Sequence, residues 1–158
     1  MHIRFIVLVA LVGCSGSAVS ATESGPLAQF DLAALHGGAD TPAPSGDVAQ
    51  KRARCTFVWP DDADQGFEVL VEANYTGAVP SSASITTVRS DCALAANVDA
   101  PARYLEVGGV NDTRLTLRLS YTCPSGEGSS GVTVSSIDGV EMGGSTMSCV
   151  QENETLSP

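Results

Sequence analysis

The sequence predicts an all-β protein: a small antiparallel β-sandwich of seven or eight short strands, Ig-like or barrel-like, with two disulfides. Three observations support this prediction. Apolar and polar residues alternate with a period of two, turn-forming residues separate the alternating segments, and four cysteines follow residue 54. The balance of 18 acidic against 8 basic residues gives a formal charge of −10, which argues against a nucleic-acid partner.

Two segments carry the strand prediction most clearly. From Thr113 to Thr122, leucines and a tyrosine occupy one parity while polar residues occupy the other. Phe67 to Tyr75 repeats the pattern, with Leu70 as the exception. Such alternation indicates a strand with one buried face and one solvent-exposed face. Shorter candidates are 55–59, 84–89, 92–98, 103–107, 131–137 and 146–150, and turn clusters lie between them.

The cysteines of the predicted domain form an even set, which indicates two disulfides in an exported protein. They are Cys55, Cys92, Cys123 and Cys149, and their gaps of 37, 31 and 26 residues do not fit a metal site. Three pairings are open. A meander of neighbouring strands slightly favours the sequential one, Cys55–Cys92 with Cys123–Cys149.

The first 21 residues have the three regions of a secretory signal peptide, with cleavage predicted after Ala21. The apolar run from Phe5 is too short to span a bilayer, which takes about 20 residues. We therefore expect a secreted protein with no membrane span. As an alternative, Leu11-Val12-Gly13-Cys14 resembles the bacterial lipobox, which implies lipid on Cys14 and an anchored lipoprotein.

Residues 22–54 are rich in small residues and proline and predict a low-complexity leader or tether, with one short helix ending at Gly37-Gly38. The pair Lys51-Arg52 resembles the kexin-type maturation site of fungal secreted precursors. We thus expect four parts: signal peptide 1–21, leader 22–54, sandwich 55–150 and tail 151–158.

Three of the four asparagines lie in N-x-[ST] sequons, which indicates N-glycosylation on a eukaryotic secretory route. These acceptors are Asn74, Asn111 and Asn153. We expect the first two to be exposed at or beside turns, because a glycan needs access to the side chain.

The predicted domain lacks the residue types that most catalytic mechanisms need. Both histidines, His2 and His36, precede it, and so does Lys51, the only lysine. This excludes catalysis by a serine–histidine pair, histidine-bound zinc and lysine Schiff bases from residues 55–150. Glu68 and Glu72 share a strand face about 13 Å apart, whereas glycoside hydrolysis needs roughly 5–9.5 Å. We expect no enzyme, no cofactor and no metal; a carboxylate-dependent glycoside-acting enzyme is a third, weaker alternative.

Several local patterns remain. Asp61-Asp-Ala-Asp-Gln-Gly66 resembles an acidic calcium loop but lacks the ligand spacing of an EF-hand, and a polar hairpin turn explains it better.

Arg114 and Arg118 share a solvent-exposed strand face, where pairing with Glu68 or Glu72 is expected. Tyr121-Thr-Cys123 resembles the Tyr-x-Cys of immunoglobulin domains, without their tryptophan position.

Trp59 and Tyr104 are the candidate binding residues, because alternation leaves them as the aromatic side chains available for a partner. The layout of signal, leader and small cysteine-bonded domain resembles fungal secreted interaction proteins and candidate effectors. The expected function is therefore that of a non-enzymatic extracellular binding module. Its partner, an extracellular protein or a glycan, and its oligomeric state are not specified by the sequence.

Overall fold

The computed structural model describes residues 24–32, 46–107, 110–143 and 147–152, and for residues 100–107, 110 and 111 the backbone alone. The described residues contain nine strands and no helix. Their bounds are β1 Gly25–Asp31, β2 Val48–Trp59, β3 Asp62–Thr76, β4 Val79–Ser90, β5 Ala93–Val107, β6 Val110–Cys123, β7 Gly126–Ser135, β8 Gly139–Met142 and β9 Met147–Gln151.

All strand pairs are antiparallel and form two sheets. The five-stranded sheet has the order β1-β4-β3-β2-β9, and the four-stranded sheet has the order β5-β6-β7-β8. Each sheet contains a meander, so most of the pairing is between strands adjacent in sequence. The chain changes sheets between β4 and β5 and again between β8 and β9, which confirms the predicted antiparallel two-sheet fold.

The core lies between the two sheets, where the inward-facing residues of both meet. The alternation predicted for β3 and β6 is observed: Val69 and Val71 are fully buried, as are Leu115, Leu117 and Leu119. Their neighbours in sequence, which are polar apart from Leu70, face outward because successive side chains of a strand point to opposite faces. The largest fully buried side chains are Tyr75, Phe57, Phe67, Leu32, Ile85, Leu115, Leu117, Leu119, Val69, Val71, Val132 and Val134.

On one side of the sandwich, the Gln151 side chain hydrogen-bonds to the backbone of the other sheet as a neighbouring strand would. The Gln151 carboxamide, at the end of β9, accepts a hydrogen bond from the Val140 amide at 3.2 Å and donates one to the Val140 carbonyl. Gly139 leaves room for this contact, since a Cβ atom there would lie 2.5 Å from Gln151 Oε1. The edges of the two sheets are thereby joined at β8 and β9.

The disulfides are Cys55–Cys149 and Cys92–Cys123. The slightly favoured sequential pairing is therefore wrong. After β8 the chain returns to the first sheet and adds β9 beside β2, which places Cys149 directly opposite Cys55. Cys92 and Cys123 flank the β5–β6 hairpin, next to the opposed pair Ala93 and Thr122.

The sheet begins earlier in the chain than residue 55. Part of the expected leader forms β1, which pairs with β4 across a bulge between Pro26 and Ala28, and the expected short helix is wrong for this segment. Leu32 is fully buried, so the segment contributes to the core. Residues 48–54 belong to β2, which places Lys51 and Arg52 inside a strand.

Candidate binding surface

One end of the sandwich is built from four aromatic side chains, which we call the aromatic end: Phe57, Trp59, Phe67 and Tyr121. The Phe57 ring stacks on Phe67 with centroids 5.0 Å apart and meets Tyr121 at 4.6 Å. Trp59 contacts Phe57 and Tyr121 edge-on, with centroid distances of 5.9 and 6.5 Å. Phe57 and Phe67 are buried, whereas Trp59 and Tyr121 are half-buried and reach the surface.

Two glycines of β7 provide the space that these rings occupy. A Cβ atom at Gly126 would lie 2.8 Å from Trp59 Cη2, and one at Gly128 would lie 2.6 Å from the Tyr121 hydroxyl. The indole of Trp59 on β2 therefore lies against the backbone of the opposite sheet. The Tyr121 side chain extends from β6 over Gly128 of the neighbouring strand β7. Trp59 and Tyr121 meet at an interplanar angle of 83°, so they do not form a coplanar stacking platform.

The turns that border the aromatic end are bonded to each other. Gln65, at the β2–β3 turn, accepts a hydrogen bond from the Ser125 amide at 2.9 Å and donates one to Asp62 at 2.5 Å. Asp62 also accepts from the Asp64 amide at 3.2 Å, which is the hydrogen bonding of an Asx turn. These contacts fix the β2–β3 turn against the β6–β7 turn, although the turns belong to different sheets.

The acidic turn gives no sign of a metal centre. Its carboxylates are Asp61, Asp62 and Asp64, and Asp62 is engaged in holding the turn. In the part of the chain that the structure describes, no group of three or more His, Cys, Asp or Glu residues is arranged to hold a metal ion.

An open groove of about 420 Å³ lies beside Tyr121 on β6 and β7. Its lining is mostly neutral and hydroxyl-bearing, with one carboxylate, Glu127. Such a surface offers hydrogen-bond acceptors and a single negative charge to a partner. The lining residues are Ser120, Tyr121, Thr122, Glu127, Gly128 and Ser129.

A second charged region lies on the outer face of β2 and β3, next to the end of β9. Glu152 contacts both arginines of this region, with Nε–O distances of 3.0 Å to Arg52 and 3.0 Å to Arg54. Arg52 also pairs with Glu72 at 3.3 Å, and Arg54 pairs with Glu68 at 2.6 Å. The hydrogen bond to Glu68, followed by that to Glu152, raises the pKa of Arg54.

These ion pairs correct the partners expected for Glu68 and Glu72. Arg114 instead contacts Asp112 at 2.8 Å and Asp138 at 3.0 Å, and Arg118 contacts Asp99 at 2.7 Å. The expected pairing of Arg114 and Arg118 with Glu68 or Glu72 is wrong because those arginines lie on the other sheet.

The predicted processing pair lies in β2, which is paired on both sides. Lys51 is opposite Ala73 and Arg52 is opposite Glu72 on β3, and the Arg52 carbonyl accepts a hydrogen bond from the Glu152 amide at 2.8 Å. Lys51 lies on the same parity as the buried Ala53, and it lines a cavity of about 200 Å³ that also includes Asp138. The sequence argument that no lysine belongs to the folded part is therefore wrong.

Asp112 is a buried charged residue that sequence inspection did not single out. Its carboxylate accepts hydrogen bonds from Arg114 Nε at 2.8 Å, from the Ser135 and Ser136 hydroxyls at 2.9 Å each, and from the Ile137 amide at 3.3 Å. Burial opposes the charge, but these donors together hold the pKa of Asp112 below its ordinary value. The carboxylate thus anchors the β7–β8 turn to β6. An acidic residue two positions before an arginine in a strand gave only a weak signal for this role.

The glycosylation and anchoring sites are described only in part. Asn74 lies near the end of β3 and is half-buried; its amide donates to Ser82 Oγ at 2.8 Å and its carbonyl accepts from Gln50 at 3.2 Å. The side chains of Asn111 and Tyr104 lie outside the described residues, and so do Asn153, Ala21 and Cys14. Glycosylation, signal cleavage and lipidation therefore stay predictions.

Comparisons with protein-family models, with curated proteins and with solved structures give no match for this chain. Within the described residues, no helix is long and apolar enough to cross a membrane. The class that the fold and disulfides define is a disulfide-bonded antiparallel β-sandwich.

Proposed function

We propose that the chain is a secreted, non-enzymatic binding module that recognises an extracellular partner through the aromatic end and the adjoining groove. The observation that carries this proposal is the bond between the two turns. Gln65 links the β2–β3 turn to Ser125 of the β6–β7 turn, beside the half-buried Trp59. A partner would thus meet a surface whose shape is set before binding, which lowers the entropy cost of association.

Export is the part of the proposal that the cysteines support. Structural disulfides persist in oxidising compartments, outside the cell or in the secretory pathway. Two of them, together with the signal-like first 21 residues, favour secretion. A bacterial lipoprotein anchored through Cys14 is the alternative, and it would present the same sandwich on a tether.

The charge of the surface favours a cationic protein partner. The β2–β3 turn carries three aspartates, and the groove adds Glu127, so the surface is acidic around the aromatic side chains. Complementary charge steers association and selects partners. A hydroxyl-rich glycan is the second candidate, because the hydroxyl-bearing residues Ser120, Thr122 and Ser129 are among those that line the groove.

The clustered carboxylates of the outer face support a non-enzymatic role. Glu68, Glu72 and Glu152 are each paired with Arg52 or Arg54. The carboxyl groups of a glycoside-cleaving pair flank the scissile bond of the substrate, whereas each of these carboxylates contacts an arginine side chain. We therefore interpret this cluster as a surface ion-pair network and keep an enzymatic role as the weaker alternative.

Trp59 is the only tryptophan, so its fluorescence reports on the aromatic end. We would titrate the full chain with an arginine- and lysine-rich peptide and, separately, with soluble oligosaccharides of glucose, mannose and N-acetylglucosamine. Saturable change in emission with the peptide supports a cationic protein partner, and saturable change with a sugar supports the glycan candidate. No response to either would contradict the proposed surface.

A charge reversal locates the binding site. We expect Glu127→Lys to weaken peptide binding at least tenfold at 0.15 M salt, and the matched Glu141→Lys on β8 to change it less than twofold. Both carboxylates are exposed on the four-stranded sheet, but only Glu127 lines the groove. Equal loss in both variants would indicate general charge attraction and would overturn the assignment.

A further inference from the structure

The two disulfides occupy unlike positions in the fold. Cys92 and Cys123 are both buried, at 0% and 6% exposure. Cys55 is also fully buried, but its partner Cys149 is half-buried on β9, the edge strand of its sheet. Reduction begins with a thiolate that must reach one of the two sulfur atoms. Cys149 is therefore the most accessible point of attack among the four.

β9 is a short edge strand, and β2 is the strand that pairs with it among the described residues. The strand has five residues and pairs with β2 from Ala53 opposite Gln151 to Phe57 opposite Met147. Beyond this ladder it has the buried Met147 side chain, the Gln151 carboxamide contact, the bond from the Glu152 amide to the Arg52 carbonyl, and the ion pairs of Glu152, which lie at the surface. Exposed ion pairs contribute little to stability. A short edge strand of this kind opens locally far more readily than the central strands.

The Cys92–Cys123 bond is protected by its surroundings. It lies where β5 begins and β6 ends, and β6 is the central strand between β5 and β7. The β5–β6 ladder extends over almost the whole length of both strands. Access to this disulfide requires a larger opening than displacement of β9.

We propose that Cys55–Cys149 is a thiol-sensitive latch that locks the C-terminal strand, and that reducing it frees β9 while the rest of the sandwich stays folded. The reductant is a dithiol, either a small molecule or a protein with two neighbouring thiols. Its thiolate attacks the Cys149 sulfur and forms a mixed disulfide, and Cys55 leaves as a thiolate that takes up a proton. A second thiol of the reductant then attacks its own sulfur in the mixed disulfide, which releases Cys149 and oxidises the reductant to its disulfide.

Release of β9 would expose the edge of β2 from Ala53 to Phe57. Unpaired backbone groups at such an edge accept an added strand. This inference rests on the positions of the disulfides and does not depend on which partner the aromatic end binds, although Met147 of β9 lies opposite Phe57 of that end.

Reduction kinetics test the latch on the native full chain. The protein is treated with dithiothreitol at pH 8 without denaturant, quenched in acid, unfolded, alkylated and mapped by mass spectrometry. We expect Cys55 and Cys149 to become labelled together at least tenfold faster than Cys92 and Cys123, while amide exchange increases in β9 and not in β6. Labelling of all four at one rate, or of Cys92 and Cys123 first, would overturn the proposal.

A pair of variants tests whether opening of β9 controls access. Glu152→Gln removes the charge that pairs with Arg52 and Arg54, and it should accelerate reduction of Cys55–Cys149 by twofold or more. The matched Asp99→Asn removes the ion pair with Arg118 on the β5–β6 hairpin and should leave that rate unchanged. Equal effects of the two variants, or no effect of Glu152→Gln, would contradict a latch governed by β9.

Discussion

The indole of Trp59 lies against the backbone of Gly126, so that a Cβ atom at this glycine would be 2.8 Å from the ring. This contact joins β2 of one sheet to the start of β7 in the other. It also places the tryptophan edge-on to Phe57 and Tyr121 instead of in open solvent. The predicted binding residue is thus part of the packing of the sandwich as well as of its surface.

A methyl group at Gly126 should destabilise the fold. Gly126 has a φ of 152°, which disfavours other residues, and Gly126→Ala would also displace the indole. We expect a loss of about 1–3 kcal/mol in the free energy of unfolding, measured by denaturant titration. Gly131→Ala on the same strand is the control. Its nearest neighbour is 3.8 Å away, so it should cost less than about 0.5 kcal/mol. Equal losses would contradict the close packing of Trp59.

The strands of the two sheets were predictable where alternation is regular. Leu115, Leu117 and Leu119 define the inward face of β6 without reference to any other part of the chain. This works because the side-chain period of a strand is a local property. The same holds for β3, where Phe67, Val69 and Val71 share the buried face, although Leu70 interrupts the polar residues of the other face.

The features that the sequence did not predict, strand β1 and the disulfide pairing, depend on distant parts of the chain. In β1, a bulge after Pro26 interrupts the alternation, and the spacing of Leu27 and Phe30 resembles one face of a helix. Pairing with β4 decides the conformation, and the segment itself does not encode that pairing. The same applies to Cys55 and Cys149, which are 94 residues apart and meet because β9 returns to the first sheet.

Removal of the charge on Asp112 should destabilise the β7–β8 turn. Asp112→Asn keeps the size of the side chain but replaces one acceptor oxygen with a donor that faces hydroxyl and amide groups. Arg114 also loses one of its two carboxylate partners and keeps Asp138, which adds to the loss. We expect the free energy of unfolding at pH 7 to fall by about 2–4 kcal/mol. Asp61→Asn in the exposed β2–β3 turn should change it by less than about 0.5 kcal/mol.

The pH dependence of stability should follow from the same carboxylate. Hydrogen bonds lower the pKa of Asp112 from its ordinary 3.8, so its contribution is complete above that value and is lost as the pH falls through the lower, folded pKa. The difference in unfolding free energy between the native chain and Asp112→Asn should be constant from pH 7 to 5 and shrink below about pH 4. A difference that grows on acidification would contradict a lowered pKa.

The folded protein should resist cleavage after Lys51-Arg52. A protease binds its substrate as an extended chain with free backbone groups, whereas Arg52 lies in β2 with its carbonyl bonded to Glu152. We expect a dibasic-specific endoprotease to leave the native chain intact and to cut it after reduction and unfolding, as followed by mass spectrometry. Rapid cutting of the native chain at this pair would contradict the placement of residues 48–52 in β2. If maturation at this site occurs in the cell, it must then precede folding.

Intact mass of the protein isolated from the organism that produces it tests the central claim, an exported and disulfide-bonded module, most directly. Under non-reducing conditions we expect a chain that begins at Thr22, lacks four hydrogens because of Cys55–Cys149 and Cys92–Cys123, and loses glycan mass on treatment with an N-glycosidase. A cell-retained chain that begins at Met1 and has free thiols would contradict the claim. A chain that begins at Cys14 and carries a lipid would replace the secreted form with the anchored one.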